Sequence, residues 1–108
     1  MKMISYWKDE NGESPRPFYD EDGELFLIYG YYDHKNRRGC KSNQDRCIGV
    51  YWNDNYPTAR ARLAPCVIPQ KTAESLLKGI MFDLITTGNR EKLEKVAAAM
   101  NFLKGRCK

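Results

Sequence analysis

The residues with the most chemical potential lie in one short window, residues 34–47, which reads HKNRRGCKSNQDRC. This window contains the only histidine of the chain, two of its four cysteines and five of its eighteen basic side chains. Metal ligation, a thiol redox pair and phosphate binding are the three chemistries that suit such a composition. A solvated connection between two strands needs none of them and is the competing interpretation.

Metal binding and disulfide formation both depend on spacing. Zinc sites usually hold Cys or His ligands in close pairs, whereas His34, Cys40 and Cys47 are loosely spaced and no C-x2-C pair occurs. A Cys40–Cys47 disulfide is geometrically acceptable across a hairpin loop, but in a reducing compartment it would be a switch. We therefore predict a surface loop with no metal and free thiols. Cys47 and Cys66 are expected to be small buried residues on strands.

Catalysis has little support in the sequence. A nucleophilic mechanism needs a base beside the thiol or hydroxyl, and His34, in a polar loop, is the only histidine. The acidic run DEDGE at residues 20–24 matches no phosphate-binding loop, nucleophile elbow or EF-hand, and it predicts a β-turn around Asp22 and Gly23. An enzyme with an aromatic cleft is only the third interpretation, and no cofactor is expected.

Charge and aromatic residues favour a binding function. Residues 1–33 carry eight acids against three bases, whereas residues 34–66 carry seven bases against two acids. Basic groups beside aromatic rings form the physical basis of single-stranded nucleic-acid binding. The competing interpretation is that acidic and basic strands neighbour each other and neutralise. The predicted anion-binding set comprises the basic residues Arg37, Arg38, Lys41, Arg60 and Arg62 and the stacking residues Tyr31, Tyr51 and Trp52.

The hydrophobic pattern predicts an α+β fold. Strands are expected at residues 3–8, 24–33, 46–54 and 58–65, the last with Arg60 and Arg62 on an exposed face. Residues 69–88 and 89–105 repeat apolar residues at helical spacing, with Gly88 as a C-terminal cap and Asn89 as an N-cap. Strands followed by helices indicate an antiparallel sheet of three to four strands, in the N-terminal two-thirds, with an αα-hairpin on one face.

The predicted strand ELFLIYGYYD has more apolar surface than two helices on one face can cover. Leu25, Leu27, Tyr29 and Tyr31 alternate with Phe26, Ile28 and Tyr32, so both of its faces are apolar or aromatic. Gly30, in its middle, predicts a bulge or a close backbone approach. Two helices cover one face only, and an exposed apolar face is typical of a partner surface. We therefore predict a homodimer. The rival hypothesis is that residues 14–23, with Phe18 and Tyr19, fold over the second face.

Length and hydropathy indicate the number of domains and the cellular location. The 108 residues suit one domain spanning residues 1–108. No window reaches the about 18–20 apolar residues of a membrane span, and no secretory leader is recognisable, so a cytoplasmic location is expected. The sequence thus predicts a small non-enzymatic binding or adaptor module with an anionic partner, either nucleic acid or an acidic protein face. The alternative is a protein-interaction module that uses the aromatic sheet face.

Overall fold

The computed structural model describes residues 4, 7–32, 46–54, 56–59 and 62–105. Their elements follow in chain order as β1 (Trp7–Lys8), β2 (Tyr19–Glu21), β3 (Leu25–Tyr32), β4 (Arg46–Trp52), β5 (Thr58–Ala59), β6 (Arg62–Leu63), β7 (Cys66–Ile68), α1 (Gln70–Thr87) and α2 (Arg90–Lys104). The strands form an antiparallel sheet in the N-terminal part, and the two C-terminal helices pack on one of its faces. The α+β prediction is confirmed.

The central strand of the sheet is β3. One of its edges pairs with β4, from Leu25 opposite Trp52 to Tyr31 opposite Arg46. Its other edge is shared by β2 at one end and β1 at the other, and β7 extends the sheet from the outer edge of β4. Of the two short strands on the shared edge, β1 lies within the strand predicted at residues 3–8, whereas β2, which follows two prolines, was not predicted.

Two glycines allow close packing around β3. The carbonyl oxygen of Lys8 lies 2.7 Å from the position that a Cβ atom on Gly30 would take, which confirms the predicted close backbone approach. A Cβ atom on Gly49 of β4 would lie 2.8 Å from the Ile28 side chain and 2.9 Å from the Trp7 ring. A larger residue at either position would therefore force these neighbours to move.

The acidic turn between β2 and β3 has the predicted position. Asp22 and Gly23 both have positive φ angles, of 53° and 70°, as type I′ hairpin turns require. The Asp20 carboxylate accepts a hydrogen bond from the Gly23 amide at 2.9 Å. The Asp20 carboxylate thus helps to shape the turn of the hairpin.

The helical hairpin also has its predicted limits. The first helix ends at Gly88, whose φ of 75° is left-handed, and the Asn89 amide donates to the Leu84 carbonyl. The Asn89 side chain then caps α2 by accepting from the Lys92 amide at 3.2 Å. At the opposite end, the Gln70 side chain donates to the Leu103 carbonyl, which ties the start of α1 to the end of α2.

The second face of the sheet is covered by the chain itself. Ile4, Trp7 and Leu63 are buried there against Ile28 and Tyr51. The rival hypothesis was that residues 14–23 cover this face with Phe18 and Tyr19. It is wrong, because Phe18 packs on the other face, in the core under the helices. The homodimer prediction was based on an uncovered second face, and that premise does not hold. Dimerisation itself stays a prediction.

Two further expectations need correction. Residues 58–65 do not form one strand, because β5 and β6 pair with each other as a separate two-stranded hairpin. Leu63 is buried and Arg62 is exposed, as expected for these two residues, while the rest of the predicted alternation falls on side chains outside the described residues. Cys66 is exposed on β7, whereas burial was expected; Cys47 is buried as expected. Cys66 lies at the start of an edge strand that sequence analysis did not identify.

The length and hydropathy of the two helices bear on whether either could span a membrane. Within the ranges that the structure describes, neither α1 nor α2 combines the length and the apolar character that crossing a bilayer requires.

Candidate functional site

Four of the eight predicted site residues lie outside the described residues: Arg37, Arg38, Lys41 and Arg60. The same holds for His34 and Cys40, so the predictions of a metal-free loop and of a free Cys40 thiol stay predictions. The described flanks of that loop are Tyr32 and Arg46, which lie at the same end of the sheet because Tyr31 pairs with Arg46.

Two of the predicted stacking residues are buried. Tyr31 is 8% exposed, and its ring meets the Phe102 ring edge-on at a centroid distance of 5.2 Å. Tyr51 is 4% exposed and stacks on Phe26 at 5.2 Å, on the second face of the sheet. Both rings are therefore occupied by the protein core, and neither presents a face on which a base could stack.

The third stacking residue, Trp52, is at the surface together with an aromatic residue that sequence analysis did not select. Trp52 is 41% exposed and Tyr56 61%, and their ring centroids are 6.3 Å apart. A turn holds them together, because the Trp52 amide donates to the Tyr56 carbonyl at 2.7 Å. The position of Tyr56 directly before Pro57, just after a strand, was the available signal for a surface turn.

Arg62 projects from the hairpin that begins beside Tyr56. Thr58 pairs with Leu63 and Ala59 with Arg62, and the Ala64 amide donates to the Pro57 carbonyl. Because Leu63 is buried under the sheet, the alternation along β6 directs Arg62 to solvent. We call Trp52, Tyr56 and Arg62 the aromatic tip. It combines two exposed rings at the end of β4 with one exposed arginine on the β5–β6 pair that follows.

The structure separates the aromatic tip from the ends of the basic loop. The two flank β4 at opposite ends, since β4 begins at Arg46 and ends at Trp52. Six residues of extended chain span about 20 Å. Acidic residues also lie near the tip: Asp54 is two residues after Trp52, and the Asn53 amide donates to the Glu24 carbonyl. The predicted set therefore does not form one continuous surface among the described residues.

Arg46 is a notable residue that sequence reasoning did not select. It is 9% exposed, and its guanidinium lies 4.6 Å from the Phe102 ring centroid and 5.1 Å from that of Tyr31. It donates to the Phe102 carbonyl at 2.7 Å, in the last turn of α2. A cation there complements the negative end of the helix dipole. Its Nε atom is buried without a hydrogen-bond partner in the described part of the chain.

Comparison with known proteins adds no functional assignment. No family model, no curated protein and no solved structure matches the chain. Function must therefore be argued from the exposed chemistry of this fold alone.

Proposed function

We propose that the chain is a small non-enzymatic binding module that uses the aromatic tip to hold a single-stranded nucleic acid. The observation that carries the proposal is the exposed pair of rings, Trp52 and Tyr56, followed along the chain by the exposed Arg62 of β6. Aromatic rings at the surface stack on bases of any sequence, and a cation pairs with the backbone phosphates. An acidic protein face would use the cation and leave the two rings without a role.

The charges near the aromatic tip indicate which interaction supplies the affinity. Asp54 and the acidic turn at Glu24 lie close to the tip, so electrostatic attraction from Arg62 alone is weak there. Stacking then supplies most of the affinity, and Arg62 supplies the salt dependence. Such an interface is expected to prefer unpaired bases, because the rings of a duplex are not available for stacking.

Salt dependence tests the cationic part of this interface. The affinity for a short oligothymidine should fall linearly with salt on a log–log plot, with a slope of roughly −0.7 for each phosphate contact. Arg62→Ala should weaken binding and reduce the magnitude of that slope by about 0.7. Fluorescence anisotropy of a labelled oligonucleotide measures both quantities.

Lys71→Ala is the matched control, because it removes the same charge from an exposed position on α1. Its slope should equal that of the unmodified protein. The proposal fails if no oligonucleotide is bound at low salt, or if Lys71→Ala and Arg62→Ala have the same effect. An acidic protein partner is indicated instead if polyglutamate binds while the oligonucleotide does not.

A cytoplasmic location is part of the proposal. It is supported by Cys66, an exposed cysteine that forms no disulfide among the residues that the structure describes. Exposed thiols persist in reducing compartments, whereas secreted proteins usually pair them.

One observation favours a second candidate, a protein-interaction surface. The aromatic sheet face that suggested this function is covered, but Phe82 and Ile85 on α1 are 71% and 62% exposed. If they mediate the predicted homodimer, light scattering should give twice the chain mass, and Phe82→Lys should give a monomer. A monomeric unmodified protein would contradict this second candidate.

A further inference from the structure

A groove lies beside the middle of β3, on the edge that β1 and β2 leave between them. The chain from Asp9 to Phe18 forms its outer wall, Tyr29 of β3 contributes to its floor, and Lys95 of α2 closes one side. Its volume is ≈ 410 Å³, within the range of about 300–1,000 Å³ that is typical of small-ligand sites. We call it the acidic groove, after the carboxylates of Asp9, Glu10 and Glu13 in its wall.

The wall of the groove is preformed. One carboxylate oxygen of Asp9 accepts from the amides of Asn11 and Glu13, at 2.8 and 2.9 Å. The Asp9 amide in turn donates to the Glu13 carbonyl at 2.7 Å, which closes the loop. Pro15 is buried, with a ring carbon 3.2 Å from the position of a Cβ atom on Gly30. A ligand would therefore meet a wall that needs little ordering on binding.

The carboxylates of Glu10 and Glu13 are exposed, and they form no ion pair or hydrogen bond with a described side chain. Two cations also line the groove, Arg16 and Lys95. The Lys95 ammonium is 4.0 Å from the Glu91 carboxylate on the same helix, so part of its field is offset. The three acidic residues thus exceed the cations, and the groove is net negative.

Tyr29 reports the sign of the potential inside the groove. Burial is the main cause that raises the pKa of its hydroxyl, and the negative charges of Glu10 and Asp9 raise it further. A raised pKa in the folded protein means that Tyr29 favours the folded state below pH 10 and that this contribution is lost as the pH rises through the folded pKa.

The groove therefore yields a pH prediction. Tyr29 should ionise above pH 10, and Glu10→Gln should lower its pKa by removing a nearby negative charge. Carbon-detected NMR of the tyrosine Cζ atoms, assigned with Tyr29→Phe, measures this titration. A Tyr29 pKa that is unchanged in Glu10→Gln would place the carboxylate away from the ring.

We propose that the acidic groove receives an arginine side chain from an exposed segment of a partner protein. A guanidinium is planar, so it stacks on an aromatic ring while its fork of N–H groups meets a carboxylate. Tyr29, which is half-buried, supplies the ring, and Glu10 and Glu13 supply the unpaired carboxylates. The chain already places one guanidinium against aromatic rings, because Arg46 lies 5.1 Å from the Tyr31 ring centroid and 4.6 Å from that of Phe102.

The volume of the groove indicates that the arginine belongs to a peptide segment. A groove of ≈ 410 Å³ has room for more than one side chain, so residues beside the arginine also fit. Pro15 and Pro17 line it and donate no backbone hydrogen bond, so the neighbouring residues of the partner would make mainly apolar contacts there. This site is independent of the aromatic tip and does not depend on the proposed nucleic-acid binding.

The test is a titration of the whole protein with the capped tripeptide Gly-Arg-Gly, followed by amide NMR. Shifts are expected at residues 9–17 and at Tyr29, with millimolar affinity. The matched probe is the same tripeptide with citrulline, which has the shape of arginine but no charge, and it should bind about tenfold more weakly. Glu10→Gln combined with Glu13→Gln should weaken the arginine peptide by about tenfold, whereas Glu24→Gln, outside the groove, should leave its affinity unchanged.

Three results would overturn the proposal. The first is the absence of shifts in this loop with the arginine peptide at saturating concentrations. The second is equal affinity for the arginine and citrulline peptides, which would show that charge is not recognised. The third is unchanged affinity in the double variant, provided that its amide spectrum outside residues 9–17 matches that of the unmodified protein and so shows an intact fold.

Discussion

Replacing Trp7 with alanine is expected to lower the free energy of unfolding by about 3–5 kcal/mol, the usual cost of deleting a large buried ring. Trp7 is 4% exposed, and it meets the Tyr32 ring edge-on at a centroid distance of 5.4 Å. Its ring also fills the space above Gly49, where the β4 backbone has no side chain. Removing it would open the second face of the sheet to water.

Urea unfolding followed by circular dichroism measures this effect. Trp52→Ala is the control, because the same side chain is removed from the surface, where the loss should be below about 1 kcal/mol. Equal losses for the two tryptophans would contradict the account of the second face. It would mean that Trp7 does not cover the sheet in solution. The second face would then be exposed, which would again favour a dimer.

Arg46→Ala is expected to have the second largest effect, a loss of about 2–4 kcal/mol. The variant removes a charged hydrogen bond to the Phe102 carbonyl, worth about 1.5–3 kcal/mol. It also removes the guanidinium that lies against the Tyr31 and Phe102 rings, and a desolvated cation–π contact of this kind contributes up to about 2 kcal/mol. Burial of an arginine with an unpartnered Nε atom offsets part of this gain.

Chemical unfolding of Arg46→Ala and of Arg90→Ala separates this role from a general charge effect. Arg90 is exposed in the first turn of α2, so its removal should change the free energy of unfolding by no more than about 0.5 kcal/mol. Amide exchange adds local detail, because the end of α2 around Phe102 should lose protection in Arg46→Ala before the rest of the helix. A stable Arg46→Ala with full protection there would show that the guanidinium does not hold the helix end.

The helical half of the fold was predictable because its signals are local. Apolar residues recur at helical spacing over whole turns, and Gly88 and Asn89 fix the boundary through backbone conformation and capping. The alternation along β3 and β4 was equally clear, and so was the turn at Asp22 and Gly23. Each of these features depends on residues within a few positions of one another.

The cover of the second face was not predictable because it depends on distant pairings. Trp7 reaches it by pairing with Tyr32, and Leu63 reaches it from a hairpin of two-residue strands. Strands that short carry too few residues for a period to be recognised. The alternation of arginine and alanine at residues 59–62 fits one strand as well as it fits two arms of a hairpin.

The candidate site was only partly predictable for a similar reason. Tyr31, Tyr51 and Trp52 are all aromatic residues on predicted strands, yet only Trp52, the last residue of β4, is exposed. Arg46 looked like one more base of a polar loop. Its burial depends on α2, whose last turn lies more than fifty residues further along the chain.

The most direct test of the proposed function is an amide and indole NMR spectrum of the protein with and without oligothymidine. The chain has two tryptophans, so the buried Trp7 indole is an internal control for the exposed Trp52 indole. We predict that the Trp52 signal and the amides of residues 53–58 and 62–63 shift, while the Trp7 signal stays in place. Shifts confined to α1 around Phe82, or none at all at low salt, would contradict the proposal.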